Sequence, residues 1–196
     1  MMETWIALVR VIHIVTVVFM AWPLYALITV NERGRLGPPL GDRADWYMEN
    51  IIRGMTVRCF VFQLTALSSG VALILLRGQG WSALVTNGVL LAKLLLLFTL
   101  MGLLAYVHFS LQPRIDAAFA SAADGPVSGE LGGKIGSLRL WRKRTAATCL
   151  FLVMTLVVLG LQVYGRFPAG LTVLLVAAAA AFAWNAFRQR IPYGWI

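Results

Sequence analysis

The chain has 196 residues, of which 60% are hydrophobic and 13% charged, and its formal net charge is +9. A water-soluble domain carries roughly 25% charged residues, so this composition excludes the soluble globular class and points to a membrane protein. The basic excess is not a nucleic-acid footprint, because the Lys and Arg residues flank apolar runs, where they set topology and meet anionic lipid headgroups.

A helix needs about 20 apolar residues to cross the hydrocarbon core. Five runs qualify, at roughly 5–30, 54–76, 82–110, 145–164 and 169–187. The expected fold is therefore all-α, a single membrane domain over 1–196 built as a polytopic bundle of five transmembrane helices. Met1-Met2-Glu3-Thr4 lacks the basic start of a signal peptide, so the first run is expected to remain as a helix. The polar stretch 31–53 carries the breakers Pro38-Pro39 and Gly41-Asp42. Gly78-Gln79-Gly80 and Arg166-Phe167-Pro168 read as tight turns, which make their flanking helices antiparallel neighbours. The stretch 113–141 is rich in Ala, Gly and Ser and is expected to be a partly mobile cytoplasmic loop.

Orientation follows from counting basic residues on each side. Arg33, Arg35, Arg43, Arg53, Arg114, Lys134, Arg139, Arg142, Lys143, Arg144, Arg188 and Arg190 make twelve on one side, against Arg77 and Arg166 on the other. The positive-inside rule then places the N-terminus outside and the C-terminus in the cytoplasm, in an inner (cytoplasmic) membrane. Trp5 and Trp81 would mark the outer interface, and Trp141 and Trp195 the inner one. Small residues, the Ala177–Ala181 run and Gly160, offer surfaces for close helix approach.

Ionisable groups inside spans are costly and usually face the bundle interior. Arg10, His13, Thr16 and Met20 are spaced to share one face of the first helix. His13 lies roughly 12 Å from the outer end and Lys93 roughly 16 Å, by the helix rise, so the two share a depth. Every acidic residue lies outside the spans. The anion opposite Lys93 would then come from a bound ligand such as a propionate; the alternative is a lysine that snorkels outward or stays neutral. His108 falls roughly 22 Å further along the third helix than Lys93, so it cannot join His13 in clamping one haem. It is expected at the interface, hydrogen-bonded near Gln112.

Arg58 can snorkel to the inner headgroups. Gln63, Thr65, Ser68 and Ser69 give the second helix groups that hydrogen-bond across helices or line a ligand slot. Asn87 is a further donor on the third helix, and Pro23 should kink the first. Cys59 and Cys149 fall in apolar spans at similar depth; they read as small core residues, although the two thiols could meet. No phosphate loop, zinc-protease motif or nucleophile elbow is present in the sequence.

Ile12-His13-Ile14 with Val15-Thr16-Val17-Val18, Asn50-Ile51-Ile52 with Gly54-Met55, and Leu91-Ala92-Lys93-Leu94 together resemble the HemJ-type protoporphyrinogen oxidases. Broader relatives of that family include the CopD-like copper-resistance proteins and uncharacterised integral membrane proteins. The resemblance covers about residues 8–114, and the fifth span is additional to the pattern. It implies a helical bundle in which His13 is the haem-associated histidine and Lys93 the functional lysine. On this reading haem b is the cofactor, His13 is the axial metal ligand, and Lys93 with Arg10 pairs with the propionates, beside Met20. Electrons would pass to a quinone. The first alternative is a non-catalytic subunit or assembly factor, with a membrane-complex partner or a second copy of the chain. The second alternative is copper handling through Met20, His13 and nearby thiols.

Overall fold

The computed structural model describes residues 1–31, 40–121, 129–165 and 167–188. Those residues form α1 (Met2–Val30), α2 (Arg43–Leu76), a short α3 (Ala83–Thr86), α4 (Gly88–Tyr106), a π-helical turn (Val107–Leu111), α5 (Gln112–Ala120), α6 (Gly129–Gly165) and α7 (Ala169–Arg188). No strand occurs among them. Five helical stretches are long and apolar enough to cross a membrane: Met2–Val30, Arg43–Leu76, Gly88–Ala120, Gly129–Gly165 and Ala169–Arg188. Arg33, Arg35, Pro38, Pro39, Arg166, Arg190 and Trp195 lie outside the described residues.

The helices pack through apolar side chains at helical spacing. Met20, Leu24 and Ile28 of α1 meet Leu97 and Leu100 of α4 and Leu150, Val153 and Leu156 of α6. α2 lies along α1, and α7 packs on α6 and α1. The side of α7 that is buried carries Ala179, Ala183 and Ala186, the small-residue spacing that lets helices approach closely without lipid between them. The outward faces are also apolar, with Val11, Val18, Phe19 and Trp22 of α1 exposed. In water that surface would drive aggregation; in lipid it is the solvent-matched side, and helices suit that environment because they pair their interior backbone groups within themselves.

Local chemistry sets the element ends. Asp42 caps α2 by accepting the Asp45 amide at 2.6 Å. Gly78 and Gly80 take φ values of +69° and +68°, which only glycine adopts cheaply, so the chain reverses there after α2. At the α6–α7 turn the Gln162 amide donates to the Phe167 carbonyl at 2.8 Å and its oxygen accepts the Phe167 N–H at 2.9 Å. One side chain thereby closes the second reversal.

Three expectations change. The 113–141 stretch is not a loop over its described residues: Gln112–Ala120 and Gly129–Gly165 are helical. Its Ala-rich first part favours helix, and Ile115 and Phe119 of α5 pack on Ile135 of α6 in a second apolar cluster. The third span is not one uniform helix from 82 to 110. Asn87 breaks it and caps α4, its side-chain oxygen accepting the amides of Val89 and Leu90. Asn87 is therefore a cap on an exposed turn and not an interior donor. At the far end, Pro113 has no N–H for a regular helical bond, and the π-turn immediately before it absorbs the mismatch.

Candidate functional site

His13 points from α1 into the bundle, against α2. Its Nδ1 lies 2.9 Å from Ser69 Oγ. The Ser69 hydroxyl has one proton, and its oxygen is 2.5 Å from the Thr65 carbonyl, which accepts that proton. With that proton committed to Thr65, Ser69 Oγ is placed to accept from His13 Nδ1, a tautomer that would leave the lone pair on Nε2. Gly70 makes the approach possible, because a Cβ there would sit 3.3 Å from His13 Cε1. Of the polar residues singled out on α2, Ser69 is the one that bonds His13 across helices. Thr65 and Ser68 donate to their own helix carbonyls.

Lys93 enters from α4 and lies within electrostatic reach of the imidazole. Its Nζ would be 3.5 Å from a Cβ on Gly160 of α6, so that glycine gives the amine its place. Among the described residues no carboxylate forms an ion pair with Lys93. The first and third spans thus turn one basic group each toward a common region, and two glycines clear the walls beside them.

Arg10 and Met20 sit elsewhere on the same helix. The Arg10 guanidinium lies over the Tyr164 ring at 5.2 Å, and Arg77 lies over that ring at 4.8 Å. Arg10 Nε is buried without a hydrogen-bond partner. Met20 is 1% exposed and packed in the apolar core, roughly 10 Å along α1 from His13 by the helix rise. Gln63, on the inward side of α2, has a buried Oε1 without a partner. A groove of about 590 Å³ runs past Leu64, Ser68, Val71 and Leu75. By helical angle those positions lie on the opposite side of α2 from Ser69 and Gly70, so the groove is not part of this site.

His108 is remote from this region. It packs edge-on against Phe60 and Phe109, with ring centroids 5.8 and 4.8 Å apart. Gln112, its expected neighbour, is instead the centre of a buried polar network. The Gln112 amide donates to Glu49 at 2.9 Å and to Asp116 at 3.1 Å, and its oxygen accepts from Arg142 at 2.8 Å. Arg142, fully buried, also reaches both oxygens of Glu49 and the side-chain oxygen of Asn31. Arg139 bridges Asp45 at 2.9 Å and Glu49 at 3.2 Å. Arg139, Arg142 and Lys143 are therefore not loop residues in water. They are buried on α6, beyond the end of its apolar stretch: α2 brings two carboxylates one turn apart to meet Arg139 and Arg142, and Lys143 lies over the Phe187 ring of α7 at 5.0 Å.

Glu49 lies on α2 ahead of the apolar segment that begins near residue 54. Burial pushes its carboxyl up, but hydrogen bonds from Arg142 and Gln112 and the charges of Arg142 and Arg139 outweigh that and hold it at about 2. The signal for this network was present in the sequence: Asp45 and Glu49 four apart on one segment, and Arg139 and Arg142 three apart on another. It was hidden because both segments read as connecting loops.

No group of three or more His, Cys, Asp and Glu side chains converges among the described residues. Comparison with family models, with curated proteins and with solved structures finds no match to this chain.

Proposed function

We propose that this is a multi-pass protein of the inner membrane, N-terminus outside and C-terminus cytoplasmic, that binds a porphyrin-type anionic cofactor, haem b, between α1 and α4. Redox work related to protoporphyrinogen oxidation, with a quinone as electron partner, follows from the resemblance stated above. The observation that carries the reading is that His13 and Lys93 lie within electrostatic reach of each other inside the bundle, with no carboxylate among the described residues paired to the lysine. An unpaired buried ammonium is expensive, and a bound carboxylate would relieve that cost.

The donor set fits such a group. His13 Nδ1 is anchored to Ser69, the kind of outer contact that fixes a ligating imidazole, and Nε2 would be the nitrogen to bind the metal. Lys93 would hold one propionate, and Arg10, with its unpartnered Nε, would hold the other nearer the outer surface. When bound, haem would supply one-electron chemistry. The chain's own share is to orient the ring by one imidazole, neutralise its acids and exclude water. Met20 and His108 take no part: one is packed in the apolar core and the other stacks with Phe60 and Phe109.

The orientation is supported by Trp5 and Trp81 being exposed at one end, while the basic network of α6 lies at the other. The deciding experiment is an absorbance spectrum of the purified protein, as isolated and after haem is supplied. A Soret band that disappears in His13→Ala is expected. A wild-type protein that shows no band after reconstitution overturns the proposal.

A further inference from the structure

We propose that Arg10, Arg77 and Tyr164 form a site for one phosphate-type oxyanion, as carried by an anionic phospholipid headgroup, at the end of the bundle that bears Trp5 and Trp81. Three spans meet there. Arg10 comes from α1, Arg77 follows the last turn of α2, and Tyr164 lies in the last turn of α6. Both guanidinium carbons lie over the one Tyr164 ring, at 5.2 and 4.8 Å from its centroid. The two like charges are thus no more than about 10 Å apart, a separation that salt screens only in part. Among the described residues no carboxylate forms an ion pair with either arginine, and Arg10 Nε is buried without a hydrogen-bond partner. The carbonyl ends of α2 and α6 supply roughly half a negative charge each. Those dipoles and one ring face leave two guanidiniums incompletely neutralised, and a single anion bridging them supplies the difference.

Donor chemistry and depth select the anion. Guanidinium forks match phosphate oxygens two at a time, and the Tyr164 hydroxyl, on a half-exposed side chain, adds a further donor. Arg10 lies roughly 8 Å along α1 from Trp5 by the helix rise. Trp5 and Trp81 are both exposed, as tryptophans at headgroup level are, and that is the depth at which a bilayer holds its phosphates. A zwitterionic headgroup would bring an ammonium beside two guanidiniums, so phosphatidylglycerol is preferred over phosphatidylethanolamine. The site stands without the haem reading. A guanidinium has five N–H donors, so Arg10 can serve a propionate along one edge and the phosphate along the other, and Arg77 and Tyr164 have no part in the haem site.

The test uses haem-free, delipidated protein in detergent, titrated separately with phosphatidylglycerol, phosphatidylethanolamine and inorganic phosphate. Native mass spectrometry counts bound lipid, and melting temperature follows each ligand. Wild type is expected to hold one phosphatidylglycerol, on the order of tenfold tighter than phosphatidylethanolamine. Arg77→Gln should weaken that binding on the order of tenfold or more, the worth of a charge-assisted hydrogen bond, and Tyr164→Phe by less. Arg144→Gln removes an exposed charge from α6 at the other end and should bind like wild type. A melting shift with inorganic phosphate that Arg77→Gln abolishes, without any lipid preference, keeps the three residues as a phosphate site and moves its anion to the soluble pool. Elution and melting of the ligand-free variants check folding; should Arg77→Gln fail, Arg77→Lys, which keeps the charge and loses the fork, and Tyr164→Phe decide. Wild type that binds neither lipid nor phosphate overturns the site, as does undiminished binding by Arg77→Gln, or an equal loss in Arg144→Gln.

Discussion

Arg142 grips Glu49 with both terminal nitrogens of its guanidinium, one to each carboxylate oxygen, although one residue is on α6 and the other on α2. Asn31 at the end of α1 and Gln112 at the start of α5 join the same pair. One ion pair thus ties together segments belonging to four spans, at the end of the bundle opposite His13. Buried pairs of this kind cost much to form and more to break halfway.

Removing one partner should therefore be worse than removing both. Glu49→Leu and Arg142→Met are each expected to destabilise the bundle by about 3–5 kcal/mol, because each leaves an uncompensated buried charge. The double variant should recover part of that loss. Thermal unfolding in mild detergent measures all three, and a double variant as unstable as the sum of the singles would show that the pair is not the coupling element.

The same pair predicts a pH dependence. Glu49 is held at about 2 in the folded protein, against an ordinary value of 4.5. A lowered folded-state value means the stabilisation is fully present above 4.5 and is lost as pH falls from there toward about 2. The difference in melting temperature between wild type and Glu49→Gln should be constant from about pH 5 to neutrality and shrink below about 4.5. A difference that already changes between pH 6 and 7 would assign the effect to another group.

Two glycines set the shape of the His13–Lys93 region, and they should respond differently. Gly160→Ala places a methyl in ordinary contact with Lys93 Nζ, at 3.5 Å, and should leave haem retention intact. Gly160→Leu should displace the amine and cost about 1–3 kcal/mol in overpacking. Gly70→Ala is tighter, at 3.3 Å from His13 Cε1, so the ring must shift and the Soret maximum with it. Spectra and melting curves of the three variants check this; an unchanged spectrum in Gly160→Leu would remove Lys93 from the site.

Ser69→Ala takes away the oxygen that accepts the His13 Nδ1–H. The expected loss is about 1 kcal/mol of stability, the net worth of one hydrogen bond. With haem bound, the midpoint potential should also move, because the imidazole loses its outer anchor. A potential identical to wild type would mean that Ser69 does not act through the ligand.

The membrane class, the five apolar stretches and the depth match between His13 and Lys93 were legible in the sequence. They depend on composition, run length and a fixed rise per residue, which are local quantities. Ser69, Gly70 and Gly160 became parts of the His13–Lys93 region only through tertiary packing. A glycine signals room for a neighbour's side chain only when the neighbour is known. The polar network shows the same limit more sharply. Arg139 and Arg142 read as solvated charges fixing topology until α2 and α6 are seen side by side, with Asp45 and Glu49 facing them. Whether a charge stands in water or in a buried pair depends on a partner about 90 residues away, and no periodicity within one segment carries that information.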